Sequence, residues 1–320
     1  MVDFSVRCEM TAFPPTIPRT PFLRFTDADL AHALFVTGRA PGDAMRFGAA
    51  SVWEFVHRAA LVPAYVRSTS SNRLARSGLA LDLDRSEKVN LSYSLGQALA
   101  AIFCEQVLSV DRLLHIDRYA QRYGVSFGPG RQRPDLFGVS PGGWVVAEAK
   151  GRSNAMESGL RGKLEDQKRM VRSISGAAPW VAVGCVAAFP APDRTMRLHA
   201  FDPDEPSKEA LEIQLDRDRF ALAYYEPFLR VLDLDQPIAV DDRDGGTTAL
   251  LPPAGVRIGL LRAVEERVRE ASEGGLDGLA DDLASLLDQA REAADTQFRD
   301  GSYFETSWQE SLTLDDVSIG

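Results

Sequence analysis

The chain has 320 residues, 45% hydrophobic and 26% charged, which suffices for a sizeable core in one large domain or two small ones. Lysine and arginine number 36 against 46 acids, a net charge of −10 that, averaged over the chain, argues against a nucleic-acid binder. No stretch approaches the roughly 18 apolar residues that span a bilayer, the first residues lack a secretory pattern, and Cys8, Cys104 and Cys185 lie far apart. A membrane protein, a disulfide scaffold and a zinc or iron–sulfur site are therefore poorly supported, and a reducing, cytoplasmic location is expected.

In chain order, Pro14, Pro15, Pro18 and Pro21 punctuate the start and predict an extended arm over about the first 25 residues. Thr26 with Asp29 has capping-box spacing and opens a helical pattern through Leu30, Leu34 and Phe35, stopped at Gly38. A second helix is expected over about 44–61 and a polar loop from Ser68 to Gly78. Leu95, Leu99, Ile102 and Gln106 then follow helical spacing from Ser92 to about Leu108. Three strands are read in LLHIDRY, RPDLFGV and GWVVAEAK, between Gly and Pro turns. Gly159 to Ile174 returns to helical period, and Trp180–Ala188 is a continuous apolar run suited to a central strand. Met196–His199 and Leu211–Leu215 read as further strands. Helices are expected over Arg217–Leu232, Leu260–Ala271 and Leu276–Phe298, with a loosely ordered last twenty residues. The order helix, three strands, helix, strand is an α/β unit with a mixed central sheet. The predicted organisation is an N-terminal arm and helical addition (1–90), an α/β core (91–235) and a helical, acidic C-terminal region (236–320).

Pro134–Asp135 opens one predicted strand, and Glu148–Ala149–Lys150 closes the next. Residues two apart in a strand share a face, so Glu148 and Lys150 project together, and in a hairpin Asp135 sits beside Glu148. Two such carboxylates repel unless a divalent cation joins them, and hard oxygen ligands with open water positions suit Mg²⁺ or Mn²⁺. A metal so held activates bound water and neutralises charge on phosphate oxygens, while a lysine nearby stabilises a pentavalent phosphorus. The chain carries its own controls. Pro192–Asp193 and Pro203–Asp204 lack a following strand that ends in acid-x-Lys, and Asp166–Gln167–Lys168 lies in a predicted helix, where i and i+2 diverge. Each residue alone also has a bland account: a surface Glu–Lys pair, an Asp capping a turn, His115 as a core histidine. Only the conjunction carries chemistry.

Together, PD at 134–135 and EAK at 148–150 resemble the PD-(D/E)XK nuclease superfamily, over about residues 92–190. The resemblance implies a restriction-endonuclease-like α-β-β-β-α-β core, flanked here by helical N- and C-terminal additions, and Mg²⁺-dependent hydrolysis of phosphodiester bonds. It implies that Asp135 and Glu148 hold the metal, that Lys150 supports the attacking water, and that Gln167 in the next helix positions the site. By spacing, Gln167 falls on the stripe of Leu160, Leu164, Val171 and Ile174. The family also often places an acid on its first core helix, where Glu105 is the only acid between Leu91 and Val110. A DNA endonuclease of bacterial defence or restriction is the implied role, with DNA preferred over RNA and a homodimer expected for cutting both strands. The competing reading is a nuclease-like, non-catalytic subunit or regulatory module of a larger complex. A phosphoesterase acting on RNA or nucleotides would share the same chemistry.

Charge is unevenly spread. Between Arg131 and Arg172 nine basic residues meet five acids, whereas residues 273–320 hold twelve acids and two arginines. The acidity therefore belongs to the C-terminal region, which is expected to repel or mimic nucleic acid or to dock a basic partner. The N-terminal helices are the other candidate partner surface.

Overall fold

Alternation decides the first element. Phe4, Val6, Cys8 and Met10 are buried while Asp3, Arg7 and Thr11 are exposed. That period of two makes Asp3–Thr11 a strand, β1, in the computed structural model. The structure describes residues 1–38, 47–116, 134–156, 159–160, 162, 171–190, 195–202, 211–234, 240–243, 246–293 and 296–315. β1 pairs antiparallel with β2 (Phe22–Thr26), so the expected N-terminal arm is instead two sheet strands. Its prolines fall in the connection between them, where no ladder hydrogen bond is required.

Thr26 then caps α1 (Asp27–Val36). Asp29 N–H donates to Thr26 Oγ1 at 3.2 Å, and Thr26 N–H donates to Asp29 Oδ2 at 2.7 Å, both halves of the box read from the sequence. α2 (Ala50–Tyr65) follows. The expected loop holds a short hairpin, β3 (Val66–Ser68) and β4 (Leu74–Arg76), and leads into α3 (Gly78–Asp82). The next helix, α4 (Arg85–Leu108), begins before Ser92 because Asp84 and Glu87 form a second capping box. Leu95, Ala98, Leu99, Ile102 and Phe103 are buried along it, and α4 packs against α1 on one side and the central sheet on the other.

β5 (Arg112–His115), β6 (Leu136–Ser140) and β7 (Gly143–Arg152) form an antiparallel meander. β9 (Val181–Ala188) runs parallel to β7, and β10 (Arg197–Phe201) joins it to β1. The result is a mixed seven-stranded sheet in the order β2-β1-β10-β9-β7-β6-β5. Two glycines bring α4 onto β7: a Cβ on Gly96 would lie 2.6 Å from Gly151 N, and one on Gly151 1.6 Å from Ser92 O. Neither position tolerates a side chain.

The helix expected over Gly159–Ile174 is not continuous. Residues 160 and 162 are helical, but Val171–Ile174 is a strand, β8, which pairs in parallel with β11 (Leu211–Ile213). Val171 and Ile174 are both buried there, and tertiary pairing overrides the helical spacing. The apolar stripe that oriented Gln167 thereby loses two of its members.

α5 (Arg217–Leu232) matches its predicted bounds. The C-terminal region is not simply helical. β12 (Val240–Arg243), β13 (Gly246–Leu251) and β14 (Val256–Leu261) build an antiparallel sheet that β15 (Ser302–Thr306) completes. The helices α6 (Arg262–Ser272) and α7 (Leu279–Glu292) lie between β14 and β15 in the chain. Val256, Ile258 and Leu260 alternate inward, a strand signal masked by the helical pattern that follows. Nor are the last residues loose: a short helix, α8 (Gln309–Leu312), follows β15, and Trp308 and Leu312 are buried. Many of the region's acids are used internally, as in Arg267–Asp282 at 2.7 Å and Arg291–Asp288 at 2.6 Å. No helix among the described residues is long and apolar enough to cross a membrane.

Candidate active site

The register Leu136↔Ala147 places Asp135, one residue before β6, across from Glu148 on β7. The two residues are cross-bonded. Asp135 N–H donates to Glu148 Oε2 at 3.1 Å, and Ala149 N–H donates to Asp135 Oδ2 at 3.0 Å. Lys150 Nζ lies 2.5 Å from Glu148 Oε1. The hairpin geometry inferred from the motif therefore brings Asp135, Glu148 and Lys150 together.

Electrostatics mark the trio. Glu148 is fully buried, and burial, then the Asp135 carboxylate, push its carboxyl up to about 7 against the pull of Lys150. Burial disfavours the Lys150 ammonium, but Glu148 and Asp135 outweigh it and raise its pKa above the ordinary lysine value. Lys150 thus stays protonated at neutral pH, with its side chain 35% exposed. The rise at Glu148 comes in part from a second carboxylate beside it, a repulsion that a divalent cation between the two would relieve.

The donor set fits such a cation in one form only. Among the described residues no group of three or more His, Cys, Asp or Glu side chains could hold a metal. Asp135 and Glu148 would supply two carboxylates, and water or main-chain oxygens would complete the shell, as suits Mg²⁺, which keeps several waters.

Gln167 lies outside the described residues, as do Arg161, Lys163, Lys168 and Arg169. Glu105 is not at this site. It lies nine residues beyond Gly96 on α4, about 14 Å along the axis, and its Oε2 is 3.5 Å from His32 Nδ1. His32 Nε2 in turn meets Asp300 Oδ2 at 3.1 Å. Asp300 also accepts the Tyr224 hydroxyl at 2.5 Å and the Ser302 hydroxyl at 2.6 Å, and His32 stacks on Phe298 at 4.2 Å between ring centroids. This is a second, sealed ionic cluster. His115 is buried at the end of β5, as a core histidine would be.

Tyr93 and Arg152 escaped the motif reading. Tyr93, half exposed on α4, is close enough to Lys150 to favour its charge. Its signal was the Gly96–Gly151 approach, which needs the tertiary fold. Arg152 was visible, because it continues the Glu148–Lys150 alternation by one more step. Comparison with known proteins gives no match: no family model, no curated protein and no solved structure is similar to this chain.

Proposed function

We propose that this protein is a metal-dependent phosphodiesterase that hydrolyses nucleic acid, DNA in preference to RNA. One observation carries the reading: two cross-bonded carboxylates, one fully buried, on adjoining strands with a protonated lysine on the buried one. The order α4, β5, β6, β7, then β9 parallel to β7, supports the strand part of the core that the PD-(D/E)XK resemblance implies, while β8 stands in part of the place of its second helix.

In this reading Asp135 and Glu148 would hold Mg²⁺, which when bound supplies a low-pKa water and charge neutralisation on the phosphate. Lys150 is kept charged by its neighbours, so it serves as an electrostatic group toward the phosphate oxygens rather than as a base. In hydrolysis the water oxygen bonds to phosphorus, the ester P–O bond breaks, and the departing oxygen takes up a proton. The Ala149 and Asp135 N–H bonds hold both carboxylates in place before substrate arrives.

The test is incubation of the full chain with single-stranded DNA, duplex DNA and RNA, each with Mg²⁺ or with EDTA. Cleavage that requires Mg²⁺ supports the reading. Cleavage indifferent to EDTA, or none of any substrate, overturns it.

A further inference from the structure

The register that brings Asp135 to Glu148 also defines a whole face of the central sheet. Directly paired residues project to the same side, so the face bearing Glu148 and Lys150 can be followed strand by strand. Lys150 lies opposite Val186, Val186 opposite His199, and His199 opposite Glu9. One row along, Arg152 lies opposite Ala188, Ala188 opposite Arg197, Arg197 opposite Arg7, and Arg7 opposite Phe22. In the following row Ser5 faces Arg24 on one side and bridges to Arg73 on the other. Burial agrees with this assignment: Arg7 and Arg24 are exposed and Arg152, Arg197 and Arg73 half-buried, while Phe4, Val6 and Leu198 pack inward on the opposite face. Met156 and Leu160 pack on Val186 and Phe201 of this face.

Lys150, Arg152, Arg197, Arg7, Arg24 and Arg73 thus form one stripe from the candidate site to the edge strand β2. Four strand steps of about 4.8 Å make it about 19 Å wide, roughly five nucleotides of one strand at 3.4 Å each. Its far end carries an aromatic. The Arg73 guanidinium sits 5.4 Å from the centroid of the Phe22 ring, which is 38% exposed, and a cavity of about 710 Å³ opens there between Phe22, Arg24, Asn72 and Arg73, with Asp3 and Asp29 also in its wall.

Arg197 and Arg7 stand directly opposite each other, which sets two guanidinium groups side by side on this face. Glu9 lies 3.7 Å from Arg7 and 3.2 Å from His199. Guanidinium groups in a row match the oxygens of successive phosphates in fork geometry. An exposed phenylalanine beside a stacked guanidinium is a platform for an unpaired base.

We propose that this sheet face is the track for the phosphate backbone of one nucleic-acid strand, running from Lys150 across Arg152, Arg197 and Arg7 and setting a base on Phe22. The proposal rests on the nuclease reading of the site and adds to it the substrate's path and its single-stranded form at that end. The experiment is fluorescence anisotropy of a labelled twelve-nucleotide DNA strand with the full chain in EDTA, over a salt series. Arg7→Glu with Arg24→Glu changes two surface residues, and circular dichroism checks their fold. The double variant is expected to bind at least tenfold more weakly at 0.1 M salt. Its slope of log affinity against log salt falls by about 1.4, at about 0.7 per lost contact. Phe22→Ala weakens binding about fivefold with an unchanged slope. Arg217→Glu, a 63% exposed control on α5, binds as wild type.

Absence of binding by wild type, wild-type affinity in the double variant, or an equal loss in Arg217→Glu overturns the track. Tighter binding of duplex, with Phe22→Ala silent, overturns its single-stranded form. Arginine-dependent binding without Mg²⁺-dependent cleavage contradicts the nuclease reading and leaves the track standing. Mg²⁺-dependent cleavage with wild-type affinity in the arginine variants does the reverse.

Discussion

The protein buries charge twice, once around Asp300 and once around Glu148, and the two clusters differ in what surrounds them. Around Asp300, His32 lies between Asp300 and Glu105, Ser302 and Tyr224 donate to the carboxylate, and Phe298 and Phe304 close over the ring. Around Glu148, a buried carboxylate faces another carboxylate, with one partly exposed lysine to hold it. The first arrangement ties α1, α4, α5 and β15 together. The second carries a repulsion between carboxylates that a bound cation would remove. A cluster closed over by aromatic rings is a structural joint, and one beside a partly exposed lysine is the candidate for the proposed chemistry.

The comparison can be broken most forcefully at Asp300. Asp300→Asn leaves His32 without its closest counter-charge in a sealed site. We expect a loss of about 3 kcal/mol, seen as a fall in Tm of roughly 4–5 °C, with cleavage per folded molecule unchanged. A catalytic deficit in fully folded Asp300→Asn would erase the distinction between the clusters.

A smaller effect follows from pH. Burial disfavours the His32 imidazolium, but Asp300 and Glu105 outweigh it and hold its pKa up at about 10 against an ordinary 6.5. A base raised on folding contributes stability fully below its unfolded value and loses it as pH climbs through the folded one. The Tm difference between wild type and His32→Gln should be constant up to about pH 6.5 and shrink toward pH 10. A difference that changes only below pH 6.5 and stays flat from there to pH 10 would mean His32 is neutral in the fold.

The smallest effect has the opposite sign. Above pH 7 an ionised Glu148 costs stability, because its carboxyl lies higher in the fold than the ordinary 4.5. Glu148→Gln in EDTA at pH 8 is expected to gain about 1 kcal/mol, a Tm rise of about 1–2 °C, while cleavage measured with Mg²⁺ is abolished. A marked loss of stability would show that the pair with Lys150 is structural.

Legibility in the sequence follows separation along the chain. Asp135, Glu148 and Lys150 lie on two adjoining strands of one hairpin, so local alternation sufficed to assemble them. The capping box of Thr26 and Asp29 was readable for the same reason. β1 carried a plain period-two pattern, but the prolines after it drew the eye to an arm. Val171 and Ile174 kept helical spacing yet became a strand, because β11, outside that window, supplied the pairing. Glu105 could not be placed from spacing, since the cluster that claims it joins His32 to Asp300, 268 residues apart. The arginine row needs the register of five strands drawn from both ends of the core, and no local window contains it. The net charge of −10 is likewise only an average, in which Asp300 is sealed and Asp282 and Asp288 are paired.

The central claim is that the trio on β6 and β7 performs phosphodiester hydrolysis. Its most direct test is the single-turnover cleavage rate of Lys150→Ala beside wild type, with saturating Mg²⁺ and labelled DNA. Loss of a charged group that acts on the transition state predicts a rate about 10²–10³-fold lower, with an unchanged circular dichroism spectrum. Cleavage by Lys150→Ala at the wild-type rate would contradict the account.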